Sequence, residues 1–65
     1  MDLRTLRYFL AVAREGTISA AAQSLHVTQP TLSRQMMELE DELGAPLFAR
    51  GRRRIALTEE GRFLE

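Results

Sequence analysis

Residues Ile18–Leu43 read ISAAAQSLHVTQPTLSRQMMELEDEL. The stretch divides into a short alanine-rich helix, a tight turn and a longer helix, which is the plan of a helix-turn-helix. Thr17 or Ser19 is a fitting N-cap for the first helix, Ile18 to Leu25. So short a helix does not hold in water by itself, so packing must hold it. His26, Val27 and Thr28 make the turn. Thr28 then caps the longer helix, and Pro30 sits in its first turn, where a missing N–H costs no hydrogen bond. Leu32, Met36, Leu39 and Leu43 recur along one face of that helix. Gly44, Ala45 and Pro46 stop it.

Each part of this unit has a physical task. Two helices cross closely only where small residues meet, and Ala21 and Ala22 supply them. Leu25, Val27 and Leu32 surround the turn and set the interhelical angle. The second helix must then project groups into the major groove from its N-terminal turns. Gln29, Pro30, Thr31, Ser33 and Arg34 occupy that place. Glutamine matches N7 and N6 of adenine, arginine matches N7 and O6 of guanine, and proline or a threonine methyl meets a thymine methyl. The Thr28 and Ser33 hydroxyls suit phosphate oxygens, and a helix N-terminus itself favours an anion. Taken singly these residues decide nothing. Thr28 and Pro30 begin many helices that bind no ligand, the alanines are good helix formers, and Ser33, Arg34 and Gln35 make an ordinary polar face. Met36 reads as core. Met37 falls off the apolar stripe and has no functional reading.

Outward from this unit, Leu3, Leu6, Phe9, Leu10 and Ala13 recur at helical spacing with Val12 beside them. With Asp2 as N-cap and Gly16 as terminator, they predict a first helix over Leu3–Glu15 that supplies core. Downstream, Leu47 to Arg50 and Arg54 to Leu57 read as two short strands, with Gly51, Arg52 and Arg53 as the loop of a hairpin. Thr58 followed by Glu59 and Glu60 opens a fourth helix, with acids at its positive end. The fold class expected is mainly α: a winged helix-turn-helix with a three-helix core, a two-stranded wing and the start of a linker helix. Residues 1–58 form the domain and 59–65 begin the linker.

A single domain of 65 residues has a thin core and modest stability. Its 45% apolar and 28% charged content is that of a soluble globular protein. No run of apolar residues is long enough to span a membrane, and the first residues lack the charged-then-apolar layout of a signal peptide. With no cysteine, disulfides and thiolate metal sites are excluded. A cytoplasmic location is the expectation. The net charge of zero argues at first against a nucleic-acid partner, but the distribution argues for one. No acid occurs from Gly16 to Met37, nor from Leu43 to Thr58, whereas Glu38, Glu40, Asp41 and Glu42 form a block. That block reads as a solvated helix face. All nine basic residues are arginine, which suits bidentate contacts to phosphate or guanine. Arg50, Arg52, Arg53 and Arg54 cluster around Gly51 and read as a wing facing the phosphate backbone.

At these residues the sequence closely resembles the N-terminal DNA-binding domain of LysR-type transcriptional regulators. The resemblance covers nearly the whole chain. It is carried by Phe9 with Ala11-Val12-Ala13, by Gly16-Thr17, by Ala21-Ala22 and Leu25, and by the run from Thr28 to Ser33. Leu39-Glu40, Leu43-Gly44, Leu47-Phe48 with Arg50, and Leu57-Thr58 with Gly61 complete it. Thr17 stands where that family usually has serine, Ile18 where it has phenylalanine, and Met37 where a polar residue is more common. The resemblance implies a homodimeric repressor or activator on an interrupted palindrome of double-stranded DNA. It implies base contacts from Gln29, Pro30, Ser33 and Arg34, and minor-groove or phosphate contacts from the wing arginines, especially Arg53. It further implies a long linker helix from Thr58 that pairs two subunits. A C-terminal domain for a small-molecule effector follows that helix, so this chain is expected to be an excised DNA-binding domain with no cofactor of its own.

Three other readings stand beside this one. A winged helix from a different regulator family, such as the molybdate-responsive regulators, changes the effector but not the DNA chemistry. A winged helix used for protein contact places the arginines against an acidic partner. Enzymatic function has little to rest on: His26 lacks a nucleophile or acid in credible geometry, Ser24 being two residues away, and no phosphate loop or metal spacing is present.

Overall fold

The structure, a computed structural model, describes residues 2–49 and 55–65. Its elements run α1 (Leu3–Glu15), α2 (Ile18–Leu25), α3 (Gln29–Leu43), β1 (Phe48–Ala49), β2 (Ala56–Leu57) and α4 (Glu59–Leu64). The expected order and the helix limits hold. The two strands pair antiparallel, Phe48 opposite Leu57 and Ala49 opposite Ala56. They are shorter than expected. Ile55 leaves the ladder because its N–H donates to Gly16 O at 2.6 Å, and Arg50 and Arg54 lie outside the described residues.

Every helix starts on a side chain that accepts from the first turn. Asp2 Oδ1 accepts from Thr5 N at 2.8 Å and from Thr5 Oγ1 at 2.9 Å. The Thr5 N–H, and after it the Thr5 hydroxyl, hold the Asp2 carboxyl below the usual carboxylate range. Thr17 caps α2 through Ala20 N, Thr28 caps α3 through Thr31 N, and Thr58 caps α4 through Gly61 N. Of the two candidate caps for α2, Thr17 is therefore the one used. The ends are equally defined. Gly16 ends α1 at φ 87°, a left-handed conformation that a side chain rarely tolerates. At the end of α2 the chain turns left-handed at His26, φ 60°. Val27 N then donates to Ala22 O and His26 N to Gln23 O, which satisfies two orphan carbonyls. The same pair of bonds closes α3, from Ala45 N to Glu40 O and Gly44 N to Asp41 O.

The core is Phe9, Ala11, Val12, Ala21, Ala22, Leu32, Met36, Leu39, Leu47 and Phe48. Ala21 and Ala22 are buried where the helices cross, and Leu25 and Val27 pack on the core beside the turn. Phe9 of α1 meets Phe48 of β1 with ring centroids 5.6 Å apart, so the sheet is tied to the helices through two aromatic rings.

Two sequence readings of the core need correction. α1 buries Thr5, Phe9, Ala11 and Val12, while Leu3 is 66% exposed and Leu10 39%. The inward face is thus rotated from the leucine stripe. It includes Thr5 because the Thr5 hydroxyl already has its partner in Asp2. Leu43, the last residue of α3, is exposed and lies beyond the core.

The acidic block also needs correction at one position. Glu40 is half-buried, and its Oε2 accepts from Leu47 N at 2.8 Å and Phe48 N at 3.4 Å. It is a peg that fixes the entry to β1, not a solvated group. Glu40→Ala takes the acceptor from both N–H groups. Hydrogen bonds to a charged group contribute about 1.5–3 kcal/mol, so the thermal midpoint is expected to fall by on the order of 10 °C. Glu40→Gln, which keeps an acceptor, is expected to lose less. Equal midpoints for the parent and the alanine variant in a calorimetric scan would show that the peg carries no stability.

Candidate nucleic-acid interface

The N-terminal end of α3 is built so that its polar residues cannot turn inward. Successive helical residues rotate by about 100°. With Leu32, Met36 and Leu39 fully buried, Pro30 and Arg34 fall on the opposite side. Both are exposed, as are Thr28 and Gln29, while Thr31 and Ser33 are half-buried on the flanks. The structure therefore gathers the six residues proposed from the sequence for the helix, Thr28 to Thr31 with Ser33 and Arg34, on one end of α3. Met37 joins them on the outward side, 57% exposed. An apolar residue with no core role is now placed beside Arg34, which the sequence alone did not suggest.

Hydrogen bonds define how these groups are held. Thr28 Oγ1 accepts from Thr31 N at 3.3 Å and donates to Thr31 Oγ1 at 2.9 Å. Its donor capacity is taken up by the cap, and the Thr31 hydroxyl hydrogen is the one left over. Gln29 Nε2 donates to Ser19 Oγ at 3.3 Å. Ser19 is exposed in the first turn of α2 and was read from sequence only as a possible cap. Its contact spans ten positions and depends on the crossing of α2 and α3, which no local pattern encodes.

Electrostatics favour an anion on this face. α2 contains no acid, and α3 contains none before Glu38. The N-termini of both helices add partial positive charge. Arg50, Arg52, Arg53 and Arg54 fall in sequence between the paired strands and lie outside the described residues. Among the described residues no group of three or more histidine or acidic side chains is arranged to hold a metal ion. A polar cleft between the start of α1 and α3, lined by Asp2, Arg4, Gln35, Glu38 and Glu42, carries more acid than base.

Comparison with known proteins points the same way. The family model for the bacterial regulatory helix-turn-helix protein, lysR family, matches residues 3–62. The HTH-type transcriptional regulator BsdA of Bacillus subtilis (strain 168) is 53% identical over 62 residues, which cover 94% of this chain and 21% of BsdA. The HTH-type transcriptional regulator ClcR of Pseudomonas putida is 53% identical over 66 residues, covering 100% of this chain and 22% of ClcR. The chain thus spans about a fifth of the length of these curated relatives. Among solved structures, the complex of the BenM DNA-binding domain with catB site 1 DNA superposes with a TM-score of 0.96 at 50% identity. That match covers 98% of this chain and 71% of the BenM chain. Full-length CbnR complexed with its target DNA gives a TM-score of 0.91 at 51% identity, over 98% of this chain and 23% of CbnR. A model match across nearly all residues, with half of them identical to those of solved relatives, leaves one assignment: the chain belongs to the lysR family of bacterial regulatory helix-turn-helix proteins, and its fold is that family's winged helix-turn-helix DNA-binding domain.

Proposed function

We propose that this domain directs a transcriptional regulator to a specific double-stranded DNA sequence by laying α3 in the major groove. The observation that carries the reading is the exposed, acid-free N-terminal end of α3, with Arg34 and Pro30 opposite the buried face. Gln29, Pro30, Thr31, Ser33 and Arg34 read base edges, and Thr28 lies against a phosphate, its hydroxyl hydrogen turning there from Thr31 Oγ1. Arg50, Arg52, Arg53 and Arg54 meet the backbone or the minor groove. Relatives with the same fold are described in complex with DNA, which supports this assignment. Residues 1–58 make up the reading unit and 59–65 the start of a linker helix. The regulator works in the bacterial cytoplasm as a homodimer on an interrupted palindrome, and a small-molecule effector binds elsewhere in the full protein. Phe63, 94% exposed on α4, supports pairing of two copies through that helix. So does the apolar groove it borders with Leu43, Ala45, Leu47 and Leu64.

Binding-site selection with Arg34→Ala tests the proposal. A lost bidentate contact costs about 1–3 kcal/mol, roughly 5- to 150-fold in affinity. The loss is expected to flatten the preference at one base pair of each half-site. Arg53→Ala is the contrast: it is expected to weaken binding to specific and random duplex alike and to reduce the salt slope by about one. An Arg34→Ala profile unchanged at every position removes Arg34 from the readout. A changed sequence preference for Arg53→Ala at constant salt slope makes the wing a reader of groove shape.

A further inference from the structure

Gln29 is the first residue of α3 and carries a long side chain. Its carboxamide is nevertheless tethered, because Nε2 donates to Ser19 Oγ on α2 at 3.3 Å. Both residues are exposed, so the bond does not rescue a buried polar group; water would satisfy either partner. Its effect is to select one arrangement of the glutamine side chain.

We propose that Ser19 is a positioning residue for base recognition, holding the Gln29 carboxamide ready for the edge of an adenine. The inference rests on the reading of Gln29 as a base contact. A carboxamide offers two N–H donors and one oxygen acceptor. One donor goes to Ser19. The remaining N–H and Oε1 are the donor and acceptor that adenine N7 and the N6 amino group require. The place of Ser19 is itself fixed. Thr17 caps α2 through Ala20 N at 3.0 Å, which puts Ser19 in the first turn. Buried Ala21, Ala22 and Leu32 hold the crossing of α2 and α3. The rotamer freedom of Gln29 is thereby given up on folding rather than on binding, which is how preorganisation raises discrimination.

Selection from a randomised duplex library, using the intact protein and its Ser19→Ala, Ser19→Thr and Gln29→Ala variants, tests this. Gln29→Ala is expected to flatten the preference at one base pair. Ser19→Ala is expected to lower discrimination at that same base pair by about two- to tenfold and to leave the thermal midpoint and the other positions unchanged. Ser19→Thr, which keeps the hydroxyl, is expected to restore the parent profile, and the double alanine variant to discriminate no worse than Gln29→Ala. If Gln29→Ala flattens a base pair and Ser19→Ala does not, the positioning role is lost while the base contact stands. A uniform loss over all sequences with a shallower salt slope makes Ser19 a phosphate contact instead. A Gln29→Ala profile identical to the parent overturns the base contact and the positioning role together.

Discussion

Phe48→Ala is expected to leave the domain largely unfolded at 37 °C. Phe48 and Phe9 are both fully buried and face one another at 5.6 Å. Truncating a buried phenylalanine costs about 3–5 kcal/mol, because the transfer energy and the unfilled cavity add. A chain of 65 residues has a total stability of roughly 3–10 kcal/mol, so this one loss is comparable with the whole. The location sharpens the effect. Phe48 is one of only two residues of β1, and through it the sheet is held to the helices. Urea unfolding followed by circular dichroism measures the outcome, and Phe48→Leu is expected to keep most of the stability by filling the space. A Phe48→Ala domain within about 1 kcal/mol of the parent would mean that the aromatic pair is not the centre of the core.

Gly61→Ala is expected to destabilise, although helix propensity alone predicts the reverse. Alanine inside a helix is favoured over glycine by about 0.8–1.0 kcal/mol. At position 61, however, the new Cβ would run into the carbonyl oxygen of Leu47 and come within 3.3 Å of Leu57 Cδ2. The Leu57 contact is the far end of a flexible side chain, but the Leu47 carbonyl is backbone and already accepts from Thr58 N at 2.9 Å. Overpacking of this kind costs about 1–3 kcal/mol or more, which exceeds the propensity gain. Glycine is there so that α4 can approach the strand entry closely. Hydrogen exchange is expected to show lost protection at residues 62–65, with the amides of α3 still protected. A variant at least as stable as the parent would show that α4 is docked by other contacts.

How much of this was legible beforehand depends on the range of each interaction. Caps and terminators are local, so Asp2, Thr28, Thr58, Gly16 and Gly44 mark the helix ends in the one-dimensional pattern, and the helix limits follow. Ala21, Ala22, Leu32 and Met36 were legible as core because helix-turn-helix geometry leaves one inward direction. The inward face of α1 was legible only in part: Phe9 and Val12 are buried and Leu6 packs on the core, but Leu3 and Leu10 are exposed. Leucine spacing favoured Leu3, Leu6 and Leu10, but the buried stripe is chosen by the neighbours of α1, and a threonine whose hydroxyl is satisfied locally competes well with a leucine. Glu40 was masked by its acidic neighbours; what distinguishes it is the strand entry that folds back onto it. Ser19 was invisible as a partner of Gln29 for the same reason, since their contact exists only once two helices have crossed.

Leu47 is bonded on both sides of its own residue. Its N–H is taken by Glu40 of α3, and its carbonyl by Thr58 at the head of α4; the Thr58 hydroxyl also reaches Pro46 O at 2.6 Å. In mechanical terms α3 and α4 are two arms on a common pivot at Leu47. A torque applied to α4 at Phe63 reaches α3 through the two bonds at Leu47. It either swings α3, and with it Arg34 less than two turns from Glu40, or breaks a charge-assisted bond worth about 1.5–3 kcal/mol. The orientations of α3 and α4 are for this reason tied to each other through Leu47.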